Sequence, residues 1–213
     1  MSGEPTFPVI GLARHRMGTD GEGVTTLVAA RGCPLRCKYC LNPHSWQEGT
    51  RVREATPRQL YDAVRRDDLY FRATGGGVTF GGGEPLGHAP FIRAFRALCG
   101  DGWKLRAETS LMISRENLEI AMGCLDEFIV DVKDMNPEIY RRYTGADNGP
   151  MLGNLAALLS AVGPERVLVR VPNIPGFNTP GDVEDSVRRL QAMGAARLDV
   201  FDYIVRDNQE GWK

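Results

Sequence analysis

The stretch TTLVAARGCPLRCKYCLNP, residues 25–43, runs an apolar segment straight into a loop with cysteines at 33, 37 and 40. Thr25 to Ala30 reads as a strand, bounded by Arg31-Gly32. The C-x3-C-x2-C spacing then puts three thiols on one short loop and supplies no fourth. A structural zinc site normally takes four ligands. A cluster that only carries electrons commonly has a cysteine on every iron corner. Cys33, Cys37 and Cys40 therefore read as the holders of a four-iron cluster with one iron left open for chemistry. A partial zinc site or a chance grouping is the alternative.

The remaining cysteines, Cys99 and Cys124, fall in apolar helical stretches, where free cysteine behaves as a small buried hydrophobe. Five cysteines in 213 residues do not suggest a disulfide scaffold, because a chain of this length buries a core of its own. Unpaired thiols imply a reducing, low-oxygen compartment.

Working outward, strand and helix patterns alternate with no linker or low-complexity break. Strands are predicted at Thr25–Ala30, Val78–Phe80, Leu105–Thr109, Phe128–Asp131, Val167–Val171 and Leu198–Phe201. Helices are predicted from Thr56-Pro57, at His88–Cys99, Ser114–Cys124, Pro137–Tyr143, Leu152–Val162 and Asp182–Met193. Thr56-Pro57 carries a cap followed by proline in the first turn, and Leu60, Ala63 and Val64 mark one apolar face. Six strands reached through crossover helices imply a parallel sheet.

The informative residues Cys33, Gly82, Glu108, Asp131 and Pro172 all fall at C-terminal strand ends, the edge that holds the site in curled parallel sheets. The expected fold is α/β, an open partial (βα)6 barrel, since six units use up a chain shorter than the roughly 250 residues of a closed eight-stranded barrel. One domain is expected over residues 1–213, with its core at about 19–203. The glycines do not follow G-x-G-x-x-G, and those at 75, 76 and 77 precede a strand, which argues against dinucleotide binding.

Lys plus Arg total 26 against 27 Asp plus Glu, a net charge of −1, so no nucleic-acid partner is indicated. The arginine pairs at 65–66, 141–142 and 188–189 are diluted by Asp67, Asp68, Asp182 and Glu184 and read as solvated helix faces. No apolar run approaches the roughly eighteen residues of a membrane span. Met1 to Pro5 has no basic region leading into an apolar segment. A cytoplasmic protein without membrane contact is expected. His15 and Arg16 read as surface residues. Asn42-Pro43-His44 and Trp46 read either as a flap or as a loop whose tryptophan packs on the barrel.

Four stretches carry a family resemblance: TDGEGVTTLVAARGCPLRCKYCLNPHSW (19–46), GGGVTFGGGEPL (75–86), IVDVKDMNPEIYRRYTG (129–145) and VRVPNIPGFN (169–178). On these the chain resembles the radical S-adenosylmethionine (SAM) superfamily, and within it the activating enzymes of glycyl radical enzymes, of the pyruvate formate-lyase activase type. The resemblance implies that Cys33, Cys37 and Cys40 ligate a [4Fe-4S] cluster whose fourth iron is chelated by the methionyl amine and carboxylate of SAM. It places Tyr39 beside the cluster near the adenine, and Gly82, Gly83 and Glu84 along the methionyl amine. It gives Glu108 a part in cofactor or cation binding, Asp131 and Lys133 the ribose and carboxylate, and Val171 and Pro172 the border of the adenine. Elementary chemistry is consistent with this. A zwitterion needs a carboxylate or carbonyls for its ammonium, expected from Glu84 and Asp131, and a cation for its carboxylate, expected from Lys133. Glycines at 82 and 83 allow close backbone approach.

The implied chemistry is one-electron cleavage of SAM to methionine and a 5′-deoxyadenosyl radical, which takes a hydrogen from a substrate carbon. The protein supplies orientation, tuning and exclusion of water and oxygen. No acid–base pair is required. The implied partners are a flavodoxin- or ferredoxin-type electron donor and a glycyl radical enzyme; modification of a small peptide or metabolite, or a non-catalytic iron–sulfur role, are the competing readings. The chain departs from the family pattern at Asp20-Gly21-Glu22-Gly23-Val24-Thr25, which lacks the usual proline and arginine, at Gly81 in place of serine, at Ile204 in place of a histidine, and in ending at Lys213 without the usual closing segment. No cysteine lies between Asn42 and Gly77, so a single cluster is expected.

Overall fold

The computed structural model describes residues 3–205. Its strands are β1 (Phe7–Met17), β2 (Val24–Ala30), β3 (Arg53–Ala55), β4 (Gly77–Gly82), β5 (Lys104–Thr109), β6 (Glu127–Asp131), β7 (Val167–Asn173) and β8 (Arg197–Asp202). They form one open sheet in the order β3-β1-β2-β4-β5-β6-β7-β8. From β2 to β8 neighbours run parallel, and β1 lies antiparallel to both β2 and β3.

The six expected parallel strands are present, and two more are added at one edge. Strand β1 escapes sequence patterning because FPVIGLARHRM does not alternate apolar with polar residues. Its pairing with β2 slips twice, between Val9 and Gly11 and between Ala13 and Arg16, and His15 takes φ +54° at the second irregularity. The core also reaches further toward the N-terminus than residue 19, because Phe7 is fully buried against Phe80 and Phe91.

The helices are α1 (Pro57–Val64), α2 (Asp68–Thr74), α3 (Ala89–Cys99), α4 (Arg115–Met122), α5 (Pro137–Thr144), α6 (Gly149–Val162) and α7 (Pro180–Ala192). Local chemistry sets their starts. Thr56 and Thr179 make reciprocal capping boxes with Gln59 and Asp182, each followed by proline, and Asn136 caps α5 through the Glu138 amide. Among the described residues no helix is long and apolar enough to cross a membrane.

The two faces of the sheet differ in chemistry. Val78, Phe80, Leu105, Ala107, Val130, Val169 and Val171 belong to the helix-covered core. The alternate positions fall on the opposite, concave face, as the period of two requires, and include the charged Arg106, Glu108, Asp131 and Arg170 beside uncharged Thr79 and Ile129. Arg106 pairs with Glu127 at 2.7 Å and Arg197 with the same carboxylate at 2.5 Å. Nearer the C-terminal edge Arg170 pairs with Glu108 at 2.9 Å.

The turn between β1 and β2 covers the lumen at the N-terminal edge. The Thr79 hydroxyl donates to the Asp20 carbonyl at 2.8 Å, and Arg170 donates to the Thr19 carbonyl. Gly21 has φ +112°, and a Cβ there would lie 2.4 Å from Arg106 Nε. Glycine is required at this position on both grounds. Arg16, expected on the surface, turns inward and grips the buried Asp20 carboxylate through two nitrogens, one of them at 2.9 Å. Arg16 is the register partner of Thr25, so the cation that meets Asp20 comes from the neighbouring strand β1.

Candidate functional site

The cysteine loop leaves β2 at Ala30 and is tied down on both sides. Gly32 N–H donates to the Ser45 carbonyl at 2.7 Å, which folds Asn42–Trp46 back beneath the loop. Arg36 and Lys38 donate their backbone N–H groups to the carbonyls of Thr144 and Tyr143, at 2.9 and 3.1 Å, so the C-terminal turn of α5 carries the loop. The Arg36 guanidinium donates to the carbonyls of Cys33 and Leu35 and lies over the Trp46 ring at 5.3 Å.

All three thiols are free and half-buried. Burial pushes the Cys33 thiol up to about 11, with Glu84, Cys37 and Cys40 adding to the rise. Burial raises Cys37 as well, against the pull of Lys133. Among the described residues no three His, Cys, Asp or Glu side chains converge closely enough to share one metal ion.

The Gly82-Gly83-Glu84 turn docks onto this loop through its backbone. Gly83 N–H donates to the Ala30 carbonyl at 3.0 Å and Glu84 N–H to the Gly32 carbonyl at 2.7 Å. A Cβ on Gly83 would stand 2.1 Å from that Gly32 oxygen, and Gly82 has φ +86° with Ala29 Cα at 2.9 Å. Both glycines are therefore demanded by loop contact and backbone conformation. The Glu84 side chain is already committed. It accepts from Thr109 Oγ1 (2.7 Å), Ser110 N (2.8 Å), Ser110 Oγ (2.6 Å) and Leu86 N (3.3 Å), which fills the sites of a carboxylate. Burial raises its pKa, and the Ser110 and Thr109 bonds oppose the rise.

Asp131 ends β6, and Lys133 reaches back to it at 3.0 Å. Burial alone would lower the Lys133 pKa, but Asp131 first, then Cys37, outweighs burial and holds it above the ordinary range. Asp131 is the register partner of Arg170, and Arg170 of Asp199. Arg170 pairs with Glu108 and reaches Asp199 at 3.6 Å. Burial raises the Glu108 carboxyl to about 7 despite Arg170, with Asp131 and Asp20 adding to the rise. A Cβ at Gly81 would lie 2.9 Å from Glu108 Oε2 and from Leu27 Cδ1, both side-chain tips that would have to move aside. The Tyr39 ring packs edge-on against Phe177 and Tyr143, at 5.5 and 6.1 Å, and its carbonyl accepts from the Tyr203 hydroxyl at 2.5 Å.

Pro172 borders the same edge and is buried. Val171, one residue from lumen-facing Arg170, belongs to the helix-side core, so the lumen receives its backbone and not its side chain. Pattern reading missed Arg16, Asp20, Ser110 and Arg170. The signal for Arg170 was present, a single charge inside the apolar run VLVRVPN.

The arrangement fits an iron–sulfur group. Thiols raised by burial need a cation to ionise them, and a coordinating metal deprotonates a thiol outright. Buried polar atoms without partners also gather around the loop: Ser45 Oγ, Trp46 Nε1, Tyr140 OH and Tyr143 OH. Residues 27–190 match the family model of the radical SAM superfamily. The chain belongs to this superfamily.

This radical SAM protein is similar to (2S)-3-sulfopropanediol dehydratase activating enzyme of Klebsiella oxytoca, at 26% identity over 75% of this chain and 69% of that protein. It is also similar to pyruvate formate-lyase-activating enzyme of Listeria monocytogenes, at 33% identity over 64% of this chain and 58% of that protein. The chain thus spans well under two thirds of the Listeria relative. Among solved structures, Streptococcus suis SuiB bound to S-adenosylmethionine superposes with a TM-score of 0.66 over 85% of this chain and 41% of SuiB. At 13% identity that likeness shows the fold. The protein is an activase-like radical SAM enzyme.

Proposed function

We propose that this enzyme uses a [4Fe-4S] cluster on Cys33, Cys37 and Cys40 to activate SAM and takes a hydrogen from a glycine of a glycyl radical enzyme. The observation that carries the reading is the convergence of the cysteine loop, the Gly82-Gly83-Glu84 turn and the Asp131–Lys133 pair at one strand edge. Its resemblance to activating enzymes supports the choice of partner. When bound, the cluster supplies one electron for reductive cleavage of SAM to methionine and a 5′-deoxyadenosyl radical. The chain's own residues bind and orient. Backbone carbonyls of the glycine turn and the Asp131 carboxylate receive the methionyl ammonium, Lys133 and Arg170 face its carboxylate, and the Tyr39 ring and the Val171–Pro172 backbone border the adenine. Glu108 and Arg170 floor the lumen. A low-potential flavodoxin or ferredoxin in a low-oxygen cytoplasm suits the electron supply.

The test is anaerobic reconstitution followed by incubation with SAM, reductant and a candidate glycyl radical partner in glycine-deuterated and ordinary forms. Deuterium in 5′-deoxyadenosine is expected. A Cys40→Ala control is expected to lose both cluster and cleavage while keeping its fold, since the core does not run through the loop. Deuterium arriving only from a small peptide or metabolite would replace the partner, and absence of 5′-deoxyadenosine from the reconstituted enzyme would overturn the reading.

A further inference from the structure

Among the described residues, the buried side-chain polar atoms without a partner are Ser45 Oγ, Trp46 Nε1, Arg106 Nη1, Tyr140 OH and Tyr143 OH. All but Arg106 belong to the cysteine-loop segment or to α5, which carries that loop. An unmade hydrogen bond on a buried hydroxyl costs about 1–3 kcal/mol, so such a concentration calls for an ordered water or a bound group as partner.

Tyr140 is the sharpest case. It is fully buried, and its carbonyl accepts from Thr144 Oγ1 at 2.8 Å, which fixes the residue one turn below the point where Thr144 receives Arg36 N–H. After burial, the groups that act on its hydroxyl are Cys37, Lys133, Glu84 and Cys33, in that order. Lys133 is a donor only. The Glu84 carboxylate has no site left. Among these charged neighbours sulfur is the one still able to accept. A neutral thiol is a weak acceptor, whereas a metal-bound thiolate or an inorganic sulfide carries negative charge and accepts well. Tyr143 differs, because the Tyr203 ring stands 6.5 Å from its own.

We propose that the Tyr140 hydroxyl donates a hydrogen bond to a sulfur of the iron–sulfur group held by the cysteine loop, either the Cys37 thiolate or a cluster sulfide. This rests on the function proposed above and adds a residue to it. Hydrogen bonds to cluster sulfurs withdraw negative charge and favour the reduced form, so the hydroxyl raises the reduction potential.

The test uses the full chain and Tyr140→Phe, both reconstituted anaerobically with iron and sulfide. The cluster midpoint potential is followed by EPR-monitored titration, and melting of the metal-free proteins is measured separately. The expected result is a more negative potential in Tyr140→Phe, or failure to retain the cluster, together with a metal-free variant that melts no lower than wild type. The latter follows because only an unpartnered hydroxyl has been removed. Equal potentials overturn the assignment, and so does a lower melting temperature of the metal-free variant, which would make the hydroxyl structural. Wild type that assembles no cluster overturns this inference and the proposed function together. An altered potential with no SAM cleavage by wild type overturns the function alone.

Discussion

Glu84 and Ser110 lock two strand ends together: one carboxylate oxygen accepts both the Ser110 backbone N–H at 2.8 Å and its hydroxyl at 2.6 Å. The other oxygen takes Thr109 Oγ1, which in turn accepts from Leu111 N at 2.9 Å and steadies a residue with φ +56°. A residue expected to face the cofactor thus serves as the latch that aims the glycine turn between β4 and β5. Glu84→Ala strands four donors and is expected to cost about 3 kcal/mol. Glu84→Gln sets an amide donor against those donors and is expected to fail as well, whereas a carboxylate whose only task was ligand contact would leave stability intact. Urea melts of the metal-free proteins distinguish the two.

The seam between the glycine turn and the cysteine loop makes a steric prediction. Gly83→Ala brings a methyl to 2.1 Å from the Gly32 carbonyl, a backbone atom that cannot swing aside. The two loops must separate, and iron retention after reconstitution is expected to drop several-fold. Gly87, four residues on, has nothing within 4 Å of a new Cβ, so Gly87→Ala is expected to change stability by less than about 0.5 kcal/mol and to keep its iron. Equal iron content in the two variants would remove the seam from the site.

The parallel strands and the location of the site at their C-terminal edge were legible because apolar runs such as VTF at 78–80 and FIV at 128–130 are short, β-rich and bounded by turn residues. The cysteine and glycine segments were legible because they are contiguous in the chain. Strand β1 was not, because its residues are specified by pairing across two irregularities and not by a repeating pattern. The lumen ion pairs were illegible for a related reason. Arg170 meets Glu108, and Arg16 meets Asp20, only once the strands have curled and the turn at 18–23 has folded back. Side-chain direction also escaped the motif: Glu84 and Val171 lie where their segments place them, but neither side chain is free to meet a ligand in the lumen.

Arg16 and Asp20 give a prediction about the turn. Asp20 is 1% exposed and depends on the Arg16 fork. Arg16→Met leaves a buried carboxylate without its cation and is expected to cost about 2 kcal/mol, below the usual range for a broken buried pair because the arginine side chain is 37% exposed. Arg16→Lys keeps the charge but loses the two-nitrogen geometry and is expected to recover about half. Adding Asp20→Asn to Arg16→Met removes the stranded charge and should also recover part of the loss. Chemical denaturation of the variants checks all three, and an unchanged Arg16→Met would show that the pair does not hold the turn.

Glu108 predicts how stability changes with pH. Burial raises its carboxyl from the ordinary 4.5 to about 7 in the folded protein, with Arg170 opposing and Asp131 and Asp20 reinforcing. A raised folded pKa means that the folded chain holds the proton over a range where the unfolded chain has released it. Its contribution is therefore full below about 4.5, declines as pH rises through about 7, and is absent above. Glu108→Gln removes this titration while keeping the size of the side chain, and Arg170 retains Asp199 at 3.6 Å. The stability of Glu108→Gln relative to wild type is thus expected to improve between pH 5 and pH 8, by at most about 3 kcal/mol from a unit shift worth about 1.4 kcal/mol. Urea melts of the metal-free proteins at the two pH values measure the difference, and the other titrating groups cancel from it. A variant whose relative stability is the same at both would show that Arg170 keeps Glu108 ionised throughout, and that the lumen floor carries a fixed negative charge toward anything bound above it.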